Sequence, residues 1–161
     1  MTSAEANKQL KNLNMEKEKI LSMEMEDCTY NAAVSEDESK LQHEYDFFQT
    51  QETIDRIDRE MLNLKHKLNV FNSTTQVGET GMTIDQILVR LPQLRKAKEK
   101  YFVMMLKPKR KRAGITGNIV DYTYTAYEPN DAAIEYNKVN DEIIRLQLAL
   151  DKTNMSVEFE V

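Results

Sequence analysis

Side chains able to do chemistry are sparse in this chain. It has two histidines and one cysteine. His43 is followed by Glu44, but no second histidine stands at the spacing that would place two ligands on one helix face, so no metal site is expected. His66 stands alone in a helical segment, where a solvent-facing imidazole is the simpler reading. Cys28 has no base beside it to raise its thiolate fraction. The sequence holds no phosphate-cradling glycine loop, no GxSxG and no paired CxxC. A non-enzymatic protein without catalytic residues, metal or cofactor is the expectation.

Two polar groups remain. Lys107-Pro108-Lys109-Arg110-Lys111-Arg112 places five positive charges in six residues, a pattern that suits phosphate or another polyanion. The bland alternative is a solvated loop, and the net charge of -5 favours it. Asn69, Asn72 and Thr75, with Asn154 near the C-terminus, form a second cluster, either a ligand pocket or a set of caps fixing helix register. Capping is favoured, because Asn and Thr routinely satisfy free amides and carbonyls at helix ends.

The elements that position these groups are set by periodicity. Thr2 and Glu5 have capping-box spacing and open a helix over 3–27, with Ala6, Leu10, Leu13, Ile20 and Met23 on one stripe. Ile54, Ile57, Met61, Leu64, Leu68 and Phe71 alternate by three and four residues, a heptad seam that must face a partner helix. That helix is expected to begin near Glu38, with Phe47 and Phe48 joining its buried side, and to pack antiparallel on the first. Thr83 and Gln86 repeat the capping box and start a third helix carrying Ile84, Ile87, Leu88, Leu91 and Leu94 inward, with Pro92 kinking it. Residues 101–106 are apolar all round, and periodicity leaves helix and strand open. Residues 119–127, rich in β-branched and tyrosine side chains, read as a strand. Pro129 starts a fourth helix with Ile134, Val139, Ile143, Leu146 and Leu150 inward. The alternating tail 156–161 reads as a second strand paired with 119–127.

The run Leu68-Asn69-x-x-Asn72-x-x-Thr75, with Thr83-Ile84-x-x-Ile87-Leu88 and the ending Asn154-Met155-Ser156-Val157-Glu158-Phe159, resembles the septicolysin-like family of small bacterial proteins. Met155 stands where that family carries Trp, and Pro92 falls in a helix that usually lacks proline. The resemblance implies a helical hairpin with a small β element and self-association, and supplies no established reaction. The family name adds a membrane-active, pore-forming protein as a further class.

The chain has 161 residues, of which 40% are hydrophobic and 7% aromatic, with four Gly and three Pro. So few turn residues argue against a sandwich or barrel. No apolar run approaches the roughly 20 residues of a membrane span. The expected architecture is mainly α with a small antiparallel β element: one domain over 1–161, comprising a long antiparallel helical hairpin over 3–72 and, over 83–161, two further helices with the sheet. A cytoplasmic location is expected from the lone cysteine and the polar start. Long helices with few aromatics struggle to cover their apolar stripes, so a homo-oligomeric assembly or scaffold protein is the first functional expectation. A polyanion- or nucleic-acid-binding module using Lys107, Lys109, Arg110, Lys111 and Arg112 is the second.

Overall fold

A computed structural model describes residues 1–42, 44–117 and 119–160 of the chain. Among them run four helices and one two-stranded antiparallel sheet: α1 (Ser3–Asp27), a short 3-10 turn (Glu38–Lys40), α2 (Phe47–Thr74), α3 (Ile84–Met105), β1 (Arg110–Thr116), β2 (Ile119–Tyr124) and α4 (Pro129–Ser156). The chain forms two compact units, one of Met1–Phe71 with Asn154–Val161 and one of Asn72–Thr153.

In the first unit, α1 starts where its sequence can satisfy free amides. The Thr2 hydroxyl accepts from the Glu5 N–H at 3.2 Å, and the Thr2 N–H donates to the Glu5 carboxylate at 2.9 Å. Lys17 reaches Asp58 at 2.7 Å, and Gln51 donates to Glu24 at 2.6 Å. Contacts thus ascend α1 as they descend α2, which makes the pair an antiparallel hairpin. Ile54, Ile57, Leu64, Leu68 and Phe71 are buried along α2, while Met61 is half-buried. On α1 only Ala6 and Leu13 of the expected stripe are buried; Leu10 and Ile20 are half-covered and Met23 is exposed.

Two expectations at the open end of this hairpin are corrected. α2 begins at Phe47 rather than near Glu38, and Phe47 and Phe48 are exposed rather than on the seam. The reason is geometric: with Gln51 opposite Glu24, residues 48 and 47 fall opposite Asp27 and Cys28, where α1 ends and no further turn covers them.

The C-terminal tail differs as well. α4 continues to Ser156, and the residues beyond it close on the N-terminus rather than on residues 119–127. The Phe159 N–H donates to the Met1 carbonyl at 2.9 Å, the Met1 ammonium donates back at 3.0 Å, and Thr2 bridges Glu158. The Phe159 ring stacks on Phe71 with centroids 4.8 Å apart.

In the second unit, a compact loop leads from α2 into α3. The Val77 N–H donates to the Met82 carbonyl at 2.9 Å and the Ile84 N–H to Thr75 at 3.0 Å, while Gly78 takes a φ of +47°, a conformation open to glycine without a Cβ clash. The Thr83–Gln86 capping box forms, with bonds of 2.9 and 3.3 Å. α3 runs through Pro92 to Met105, so residues 101–105 are helical and Leu106 is the C-cap. α4 begins with Pro129 in the first turn, where its missing N–H costs no helical bond.

α3 and α4 are antiparallel, since Arg90 pairs with Glu142 while Phe102 meets Tyr136. The buried α3 positions are Ile84, Ile87, Leu91 and Leu94, whereas Leu88, expected inward, is exposed. On α4 the seam runs through Ala132, Tyr136, Val139, Ile143, Leu146, Leu150 and Thr153, and Ile134 lies off it in solvent. A two-helix seam covers a stripe about one side chain wide, so flanking apolar residues stay wet.

In the first unit, Leu64 is 3% exposed and Leu62 is 69% exposed, two residues apart on one helix. Leu64→Ala lowers the unfolding free energy by about 2–5 kcal/mol, while Leu62→Ala stays within about 0.5 kcal/mol, measured by urea titration. The Tyr45 hydroxyl donates to Glu24 at 2.6 Å, which pushes its pKa up to about 12 because the phenolate would lose that bond and face the carboxylate. A raised folded pKa stabilises below the unfolded value, so this contribution is present below about pH 10 and is lost as the pH rises through about 12. Melts across that window show a loss of stability that Tyr45→Phe lessens.

Candidate functional site

His43 lies outside the described residues, and His66 is exposed. Cys28 is exposed, with its thiol 3.8 Å from the Met25 carbonyl. No group of three or more metal-ligating side chains occurs among the described residues. A hollow of about 660 Å³ at the open end of the α1/α2 hairpin is lined by Glu24, Asp27, Glu44 and Asp46, with Tyr45 bonded across it.

The asparagine cluster is divided between the two units. Asn69 and Asn154 belong to the first, Asn72 and Thr75 to the second. Thr75 acts as a cap through its backbone, its carbonyl accepting from Ile84. Asn69 is exposed, and the buried Asn154 Oδ1 has no hydrogen-bond partner among the described residues.

The basic run 107–112 is where the structure departs most from a solvated loop. Arg110, Lys111 and Arg112 form the start of β1, and the ribbon pairs Arg110 with Tyr124, Lys111 with Thr123 and Arg112 with Tyr122. Gly117, at φ +65°, stands at the turn between Thr116 and Ile119. The dipeptide Gly117-Asn118 between two strands is a known hairpin signal, and the preceding charges obscured it. The pairing slips between Arg112 and Gly114, leaving Ala113 as an extra residue, and such a bulge increases the local twist.

The base of the ribbon is clamped to its own unit. The Tyr127 hydroxyl donates to the Met104 carbonyl at 2.8 Å, and the Thr125 hydroxyl donates to Pro108 at 2.7 Å. Lys109 pairs with Glu128 and donates to the Tyr127 carbonyl, so this lysine holds the base together. Beyond the clamp every β2 residue is exposed. Opposed residues of an antiparallel pair share a face, as do alternate residues along a strand. Arg110, Arg112, Tyr122 and Tyr124 therefore lie on one face and Lys111 with Thr123 on the other. The Arg110 guanidinium stands 4.7 Å from the centre of the Tyr122 ring, a cation–π contact of about 0.5–1 kcal/mol at an exposed site.

The charge extends back along α3. From Arg90 to Arg112 there are ten basic residues and one acidic residue, Glu99, a net +9. The other 138 residues carry twelve basic and twenty-six acidic side chains, a net -14. The whole-chain value of -5 conceals this separation, and a running charge count would have revealed it. Arg90 is engaged with Glu142 at 3.2 Å and Lys98 with Asn140 at 2.6 Å. Lys96 and Lys100, four residues apart, share an exposed face, and Lys107, Lys111 and Arg112 are exposed beyond them. Arg95, Lys98, Glu99, Phe102 and Tyr136 line a hollow of about 320 Å³ beside α3 and α4.

No family model matches the chain, and no curated protein is similar to it in sequence. A crystal structure of a functionally unknown conserved protein from Corynebacterium diphtheriae has the same fold, with a TM-score of 0.64, 16% identity and 99% of each chain covered. No helix among the described residues is long and apolar enough to cross a membrane.

Proposed function

We propose that this protein binds a polyanion through the basic stretch that runs from the outer half of α3 into the β1–β2 hairpin. The observation that carries this reading is the net +9 between Arg90 and Arg112 in a chain otherwise at net -14. Charges of one sign gathered on one segment create a local potential that attracts polyanions even when the whole molecule is acidic. The acidic remainder repels the same ligand and so confines it to this segment. Lys96, Lys107, Lys111 and Arg112 are the exposed cations available for phosphate or sulfate groups, and Lys100, exposed as well, lies 4.3 Å over the Tyr101 ring. Lys109 is occupied in the clamp, and Arg110 is held against Tyr122.

The test is binding to heparin across a salt series. An electrostatic contact weakens linearly on a log–log plot of affinity against salt, with a slope set by the number of charges neutralised. Lys111→Gln with Arg112→Gln makes that slope shallower by about one to two units and leaves the thermal melt unchanged, because neither side chain packs in a core. An affinity for heparin independent of salt, or none at low salt, overturns the reading.

Self-association is a second reading, supported by apolar side chains left in solvent. Leu88, Val89, Phe102 and Val103 on α3, with Ile134, Ile144 and Leu148 on α4, are all exposed. A second copy covering these would gain about 25 cal/mol per Å² of apolar surface removed from water. Light scattering coupled to size exclusion gives a mass of at least twice 18.8 kDa if this holds, and the monomer mass if it does not.

A further inference from the structure

We infer that the ligand of the hairpin is a single-stranded nucleic acid, whose bases stack on Tyr122 and Tyr124 while Arg112, on the same face, meets its phosphates. This rests on the polyanion reading and adds to it the recognition of bases. Two large aromatic rings on an isolated two-stranded ribbon need a reason. The ribbon packs neither face into a core, for β2 is exposed along its whole length. Tyr122 is 43% exposed and Tyr124 66% exposed. Tyr127, by contrast, is half-buried and uses its hydroxyl in the clamp.

The arrangement suits bases rather than a simple polyanion. Tyr122 and Tyr124 stand on the same face as Arg110 and Arg112, so ring surface and positive charge are interleaved. A polyanion without ring faces, such as a polyphosphate, would use the charges and leave the rings idle. Single strands are gripped by this combination: cations along the backbone and aromatic platforms for successive bases, in any sequence, because every base has a π face. Arg110 over the Tyr122 ring adds a planar cation that can itself stack.

Ring orientation favours a single strand over a duplex. The two ring centroids are 6.4 Å apart. The ring planes are tilted by 49°, so bases resting on both rings are not parallel to one another, as the stacked pairs of a duplex are.

The test compares three labelled probes by fluorescence anisotropy with the intact chain: a 20-mer of deoxythymidine, an abasic deoxyribose-phosphate strand of the same length, and a duplex of that length. The thymidine strand is expected to bind at least fivefold tighter than the abasic strand, which has the same charge and no bases. Tyr124→Ile keeps a strand-forming side chain opposite Arg110 and leaves the Arg110–Tyr122 contact in place; it brings the thymidine affinity down to the abasic value. Because the chain has no tryptophan, tyrosine emission can be followed, and the part of its quenching by the thymidine strand that Tyr124→Ile removes reports stacking. Equal affinity for the thymidine and abasic strands, or a thymidine affinity untouched by Tyr124→Ile, overturns base stacking while heparin binding leaves the polyanion reading standing. Tighter binding to the duplex overturns the single-strand assignment. Failure to bind any probe, heparin included, overturns both.

Discussion

The structure rests on the narrowness of a two-helix seam. Each helix of a pair offers its partner one stripe, and only side chains at alternating three- and four-residue spacing are covered. In the first unit that stripe on α2 is Ile54, Ile57, Leu64, Leu68 and Phe71, and in the second it is Ile84, Ile87, Leu91 and Leu94 opposite Ile143, Leu146 and Leu150. Residues just off the stripe, such as Leu88 and Ile134, stay in solvent although they are equally apolar. The scarcity of large aromatics in the core has the same origin, since a thin seam has little depth for them.

A fold held by thin seams must secure its ends by other means. At one end of the first unit the N-terminal residues and the tail exchange two backbone hydrogen bonds, and Phe159 lies on Phe71. In the second unit, Tyr127, Thr125 and Lys109 tie the base of the hairpin to the end of α3 and the start of α4. An isolated two-stranded ribbon is marginal in water, so these bonds are what allow it to extend with both faces exposed.

Charge completes the division of labour. The helices of the first unit carry interspersed acidic and basic side chains, with pairs such as Lys17–Asp58 and Arg56–Glu60 across and along their surfaces. Exposed pairs of this kind contribute little to stability and keep the surface solvated. From Arg90 onward the balance changes abruptly, and acidic partners become rare until Asp121. Arg90 and Lys109 are answered by Glu142 and Glu128, while Lys96, Lys107, Lys111 and Arg112 stand in solvent.

The amino-acid sequence by itself determined the local features. The start of α1 at Thr2 and Glu5, the start of α3 at Thr83 and Gln86, Pro129 at the head of α4 and the heptad on α2 all depend on residues within a few positions of one another. Periodicity and capping are local physics, so one chain without its fold sufficed to read them. Strand pairing was decided only in three dimensions. Residues 119–124 had two available partners, the tail and the basic run, and alternation identified the tail, while the structure pairs them with 110–116 across a short turn. Closing that short loop costs much less chain entropy than bringing in a segment some thirty residues away, and the tail is drawn instead to Met1. Likewise, a tyrosine on a strand reads the same whether it packs a sheet or faces water. Only the absence of any element over β2 among the described residues decided that Tyr122 and Tyr124 lie open beside Arg110 and Arg112.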